Sequence, residues 1–274
     1  MRGTITSRRR FLCLTGGLAA GFALPVMPAA VLAASKRNDK EGEVNPVEDL
    51  MREHGVLRRV LLIYEEAIRR IESKKDLAPG IVADSAGIIR KFVEDYHERL
   101  EEDEVFPRFE KAGKLNDLVK VLFVQHQAGR RLTDSILKLS TPEVLKLPEA
   151  KHKPEDEPAA VRQIYEGSPF LFRDDGTFRG KAKSTNAQHK DDLSLAMQQF
   201  LRLYRPHADR EDTVLFPALH SMLSPAEFDE LGDRFEEKER NLFGRDGFEK
   251  MVAKVAEIEK DLGIYDLSNF TPKD

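Results

Sequence analysis

Cysteine is almost absent from these 274 residues: Cys13 stands alone, within the first 34. That stretch has the composition of a removable leader, so the chain that follows it contains no thiol. Disulfides, thiolate metal sites and a cysteine nucleophile are thereby excluded. Tryptophan is missing and aromatic residues make up only 8%, while 34% are charged and 41% hydrophobic. That balance suits a soluble helical protein and not a disordered chain. An excess of positive charge is missing too: the net charge is −4, which gives no reason to expect nucleic acid as a partner. The one long apolar run, from Cys13 to Leu32, is interrupted by Gly16, Gly17, Gly21, Pro25 and Pro28. Those residues weaken a membrane-spanning helix, so an uncleaved anchor is the lesser reading.

The leader has a motif of its own. Ser7-Arg8-Arg9-Arg10-Phe11-Leu12 resembles the twin-arginine export signal, and Ala33, Ala34 and Ser35 offer a small-residue cleavage site. The resemblance implies passage through the export machinery to a periplasmic or other extracytoplasmic place. Removing residues 1–34 takes away four Arg and no acid, leaving 40 basic against 48 acidic residues and a net charge of −8. The twin-arginine route carries folded cargo. A cofactor inserted in the cytoplasm would explain its use.

Beyond a polar linker at 35–45, the patterning is helical except over about 140–184. Asn45-Pro46-Val47-Glu48 reads as a helix start, and a first helix is expected over 46–73 with Leu50, Leu57, Leu61 and Ile68 in its apolar stripe. A second is expected over 79–113, ending at Gly113, with Ile89, Phe92, Val93, Tyr96 and Leu100 inward. The third covers 115–139 with Leu118, Leu122, Phe123 and Ile136 inward, and the fourth begins near 185 with Leu193, Met197, Phe200 and Tyr204 inward. Between these two, about 140–184, five prolines and an Asp174-Asp175-Gly176 turn mark an insertion with a possible short hairpin. Residues 223–274 form an extension with two further helices, 225–243 and 247–262, the first opened by Ser224-Pro225-Ala226-Glu227. The expected fold is therefore all-α: an antiparallel four-helix bundle over 46–222 with a helical extension.

Two offsets run through the bundle. His97, Glu101, Phe106 and Pro107 match His207, Glu211, Phe216 and Pro217 at 110 residues, and His54, Arg58 and Arg59 match His126, Arg130 and Arg131 at 72. The bundle reads as two related helical hairpins, each supplying one lone His and one His-x-x-x-Glu. Residues four apart lie one turn apart on one face, so such a His and Glu can bind one metal, or the Glu can bridge to a second. His54 lies 19 residues before the end of its helix and His97 18 after the start of the next, which makes the two level in an antiparallel hairpin. Four imidazoles and two carboxylates then meet in one core. Imidazoles suit iron, zinc or copper, and bridging carboxylates favour a paired-metal centre.

A single His-x-x-x-Glu is most often a solvated pair, and a single His in an apolar stripe is usually a hydrogen-bonded core residue. Here each of the four bundle helices puts a His in the stripe and two add a Glu; buried carboxylates without partners cost several kcal/mol each in apolar surroundings. A shared metal accounts for all six groups: His54, His97, Glu101, His126, His207 and Glu211. His152, His189 and His220 fall outside the set and are expected to be exposed or locally bonded. Glu98 and Glu102, beside the ligands, are expected on a solvated face.

These segments resemble the hemerythrin-like, or HHE cation-binding, family. The resemblance rests on Glu53-His54, on Tyr96-His97 through Glu101 to Phe106-Pro107, on Gln125-His126, and on Pro206-His207 through Glu211 to Phe216-Pro217. It implies a four-helix bundle around two non-haem, carboxylate-bridged iron ions, with O2, NO or peroxide as the small-molecule partner. Two departures stand out. True hemerythrins have a second His four residues after the third-helix ligand, where this chain has Arg130, and an Asp five residues after the fourth-helix His, whereas Glu211 stands at four. Fewer ligands leave more coordination positions open, which argues against simple reversible oxygen carriage. A ferritin-like set would need two Glu-x-x-His pairs, and only Glu94-Asp95-Tyr96-His97 fits. The leading expectation is a di-iron protein that binds or senses O2 or NO or handles iron. A di-iron oxidoreductase acting on peroxide or nitric oxide is the alternative from another class, and a metal-stabilised structural or partner-binding bundle is a third.

Overall fold

The computed structural model describes residues 44–78, 80–141 and 185–272. The expected leader, nearly all of the linker and the insertion about 140–184 lie outside the described residues. Those described form six helices and no strand. Four make the bundle: α1 (Pro46–Glu72), α2 (residues 80–112), α3 (Asn116–Leu139) and α4 (residues 185–222). Helices α5 (Pro225–Phe243) and α6 (Gly247–Asp261) are the extension. No described helix is long and apolar enough to cross a membrane.

The boundaries follow local chemistry. Gly113, with φ at +66°, takes the left-handed turn that closes α2 and lets the chain reverse into α3. The Ser224 hydroxyl and the Glu227 carboxylate cap each other's backbone amides at the start of α5. Each expected apolar stripe is buried except on α3, where Phe123 is 45% exposed and Leu118 only partly covered. Phe123 is five positions from Leu118 on the helix, about 140° around the axis at 3.6 residues per turn, so the two cannot share an inward face. Val119, Leu122, His126, Gly129 and Leu132 are among the residues on the face that packs.

Helices α2 and α4 are not regular. π-helical turns occupy Ile89–His97 and Glu101–Val105 in α2 and Glu211–Leu215 in α4. The two that begin at a glutamate are each followed by Phe-Pro. A proline in a regular helix interior loses a hydrogen bond and clashes with the carbonyl four residues back. A wider turn ahead of it relieves that clash, and the next α-helical segment then starts with proline in its first turn, where the missing N–H is not needed. The helix thus crosses the Phe216-Pro217 pair: α4 continues to Met222.

The extension packs on α1 and α2. Arg59 of α1 holds Glu259 of α6 with two guanidinium nitrogens, one of them at 2.9 Å. Phe243 and Phe248 reach Phe92 at 5.8 and 6.3 Å between ring centroids, and the Arg52 guanidinium lies 4.3 Å above the Phe248 ring. Edge and offset contacts of this kind add to the area that the rings bury.

Candidate metal centre

One histidine from each bundle helix points into a common buried space. His54, His97, His126 and His207 are 1%, 3%, 0% and 3% exposed, and Glu101 and Glu211 are fully buried. Ligand-capable atoms of Glu101, His126, His207 and Glu211 lie within 4.8 Å of one another, and so do those of His54, His97 and Glu101. All six sequence-derived residues converge.

The two offsets in the sequence become a pseudo-twofold arrangement. Glu211 Oε2 lies 3.3 Å from His54 Nε2 and 3.1 Å from His207 Nε2. Glu101 lies 3.3 Å from His126 Nε2 and 3.8 Å from His97 Nε2. Each carboxylate therefore stands between the histidine of its own helix and one from the other hairpin, which is where a bridging ligand belongs. The phenylalanine of each Phe-Pro pair crosses in the same way: Phe216 stacks on His54 at 5.4 Å and Phe106 on His126 at 5.5 Å.

Each imidazole turns its other nitrogen outward to a partner. His54 Nδ1 meets Asp212 at 2.7 Å, and His97 Nδ1 meets Glu53 at 2.8 Å. His126 Nδ1 meets Glu102 at 3.0 Å, and His207 Nδ1 meets the Gln125 oxygen at 3.0 Å. Carboxylate and amide oxygens only accept, so Nδ1 carries the proton and donates, which leaves Nε2 to face the centre. Two of these partners are themselves braced: Arg58 holds Asp212, and Arg130 holds Glu102 at 2.8 Å. Sequence reasoning assigned no role to Glu53, Gln125 or Asp212. The repeat carried the signal: Glu53 and Gln125 correspond at 72 and Glu102 and Asp212 at 110. Asp212, five residues after His207, turns away from the central space to bind His54.

Two expectations are corrected. Glu98 and Glu102 are not on a solvated face. Glu98 is 1% exposed, accepts from the Tyr204 hydroxyl at 2.6 Å and pairs with Arg130 at 2.9 Å. Glu102 is largely covered between His126, Arg130 and Arg99. Both lie one position past a residue of the cluster, His97 and Glu101, and α3 and α4 close over that side of α2. His189 is also buried, at 1% exposure, whereas His220 is exposed and touches Phe228. His152 lies outside the described residues.

The electrostatics are those of a site made for positive charge. Burial, and next the charge of Glu211, push the Glu101 carboxyl up to about 8. Burial works in the same direction on Glu211, but the His207 and His54 imidazoles hold its carboxyl well below the usual range. Burial opposes a charge on His54, yet its bond to Asp212 and the Glu211 carboxylate beside it raise its pKa to about 9. His97, buried beside His54, is pushed well below its ordinary value. Both oxygens of Glu101 and of Glu211 and the Nε2 of His126 are buried without a hydrogen bond. Buried polar atoms are rarely left so. Imidazole nitrogens and carboxylate oxygens in this proportion fit iron or another borderline cation, with an oxygen donor reaching both halves.

Comparisons with known proteins agree. Residues 45–153 match the family described as Hemerythrin HHE cation binding domain. Uncharacterized proteins of Mycobacterium tuberculosis and Mycobacterium bovis are each 43% identical over 234 residues, spanning 85% of this chain and 76% of theirs. No solved structure matches.

Proposed function

This chain belongs to one family with the mycobacterial proteins and carries a hemerythrin HHE cation-binding domain, and we propose that its central cluster holds two non-haem iron ions bridged by carboxylates. His54 and His97 would hold one ion, His126 and His207 the other, and Glu101 and Glu211 would donate to both. The observation that carries this reading is the placing of the two carboxylates, each within 3.8 Å of an imidazole from either hairpin and neither hydrogen-bonded. When bound, such a pair supplies redox chemistry and open coordination positions for a small ligand. The chain's part is to exclude water, fix each imidazole through its Nδ1 partner and bring two carboxylates to one place. The function proposed is binding or sensing of O2 or NO, or handling of iron itself.

Metal analysis of natively purified protein, with its absorption spectrum in air, tests this. Two irons per chain are expected, and Glu101→Ala and Glu211→Ala should each lose the pair, because each removes a donor to both positions. Stability should fall by roughly 3–5 kcal/mol as the remaining buried groups lose their shared partner. One metal or none per chain would sink the paired site. Zinc in both positions would keep the site and remove its redox chemistry.

Export by the twin-arginine route is part of the same proposal, since the route carries folded, cofactor-loaded cargo. Replacing Arg8 and Arg9 together with Lys should strand the protein in the cytoplasm, read by fractionation. Normal export of that double variant would refute the assignment.

A further inference from the structure

We propose that the two metal positions are unequal by construction, and that Gln125 is the positioning residue that makes the His126–His207 position the weaker. The inference rests on the paired-metal reading above. Its own evidence is the set of groups bonded to the outer nitrogens of the four histidines. At the His54–His97 position both are carboxylates, Asp212 at 2.7 Å and Glu53 at 2.8 Å. At the His126–His207 position one is a carboxylate, Glu102 at 3.0 Å, and the other is the neutral amide of Gln125 at 3.0 Å.

The internal repeat makes the substitution visible. Gln125 stands where the other hairpin has Glu53, 72 residues earlier, and Glu102 corresponds to Asp212 at 110. Among the four partners, this is the one pair of equivalents that differs in charge. The inner ligands and the bracing Arg58 and Arg130 are the same in both halves.

A carboxylate accepting from Nδ1–H draws that proton toward itself and puts electron density on the ring. The opposite nitrogen becomes a stronger donor to a cation. An amide oxygen orients the ring equally well but carries no charge to do this. Glu98, which also lies on the His126 side, does not restore the balance. Its oxygens are taken by the Tyr204 hydroxyl at 2.6 Å and by Arg130 at 2.9 Å, and neither bonds an imidazole. His207 is therefore oriented as firmly as its counterpart but polarised less. Gln125 is only partly buried, so a glutamate of the same shape can stand there.

Cobalt(II) titration of the metal-free full chain, followed by visible absorption and by competition with a chelator, reads both positions without relying on activity. The wild type should take up two ions in two resolved steps. Gln125→Glu should tighten the weaker step by about tenfold or more and draw the two together, that being the usual scale for groups behind a ligand. Glu53→Gln should do the mirror experiment, weakening the tighter step by a similar factor. Helix content measured by circular dichroism identifies a variant that has failed to fold, and the other variant then decides. Uptake of both ions by the wild type with one affinity would overturn the inequality while leaving the paired site standing. So would a Gln125→Glu protein that is folded, binds two ions and keeps the wild-type weaker step. Binding of fewer than two cobalt ions by the wild type would overturn the paired-metal reading, and the inequality with it.

Discussion

The hairpin of α1 and α2 and the hairpin of α3 and α4 are alike at the centre and unlike everywhere else. Both supply a lone His, a His-x-x-x-Glu, a bracing Arg and a Phe that crosses to the opposite His. Outside that core the first hairpin is buttressed by α5 and α6 through Arg59–Glu259 and the Phe92, Tyr96, Phe243 and Phe248 rings. On the second hairpin Val121, Phe123, Val124 and Leu195 stay 54%, 45%, 63% and 38% exposed. A second contrast lies between the halves. Glu94 and Glu98 of α2 face Arg130 of α3 and Tyr204 of α4, and at the 110 offset their counterparts are Tyr204 and Ala208. The acids of one half thus meet the phenol and guanidinium of the other in a layer that no repeat of sequence could make symmetrical. Ligand geometry admits little change at each duplicated position. Packing admits a great deal, provided that buried polar groups find partners.

The largest effect that sharpens this contrast belongs to Glu94. Burial is the main cause that lifts its carboxyl from 4.5 to about 7, against the pull of Thr133 and the guanidinium groups of Arg90 and Arg130. A raised acid means that between these values the folded chain binds more protons than the unfolded one, so stability falls as pH rises through that window. At pH 8 the penalty is complete, about 3 kcal/mol at 1.36 kcal/mol per unit. Glu94→Gln should therefore raise stability at pH 8 by about that amount and give no gain at pH 4, where the acid is neutral in both states. Urea unfolding at the two pH values measures it. A gain of equal size at both would mean that repacking, not charge, is responsible.

What was legible in the sequence is what periodicity and spacing encode. Helix ends came out because Gly113 and Ser224 are local signals, and the clustering of the six residues because four His and two Glu interrupt apolar stripes at matching offsets. The Nδ1 partners were not legible in that way. Each bonds a histidine on another helix, and only the repeat linking Glu53 to Gln125 and Glu102 to Asp212 hinted at a shared role. Glu98 was misjudged because its surroundings are supplied by α3 and α4, more than 30 and 100 residues away in Arg130 and Tyr204. The π turns were invisible as well, although the Phe-Pro pairs that follow two of them mark where a regular helix could not continue.

The smallest effects come from two glycines, and they test whether the second hairpin's polar layer is as tightly built as its distances say. A Cβ added at Gly129 of α3 would fall 1.9 Å from the Tyr204 hydroxyl oxygen and 2.6 Å from the ring carbon that bears it. Tyr204 cannot simply swing away: it is 1% exposed, bonded to Glu98 at 2.6 Å and packed on Phe200 at 4.3 Å between centroids. Gly129→Ala should thus cost roughly 1–3 kcal/mol, the usual range for overpacking. Adding Tyr204→Phe should recover only part of it, because the ring carbons remain too close. Gly87 of α2 is the control on the other hairpin, since a Cβ there meets nothing within 4 Å. Gly87→Ala should stabilise by about 0.5–1 kcal/mol, because alanine loses less backbone freedom than glycine on entering a helix. Chemical denaturation of both variants measures the pair. Should Gly129→Ala stabilise as Gly87→Ala does, Tyr204 has room to move, and the layer joining the two hairpins is looser than its hydrogen bonds imply.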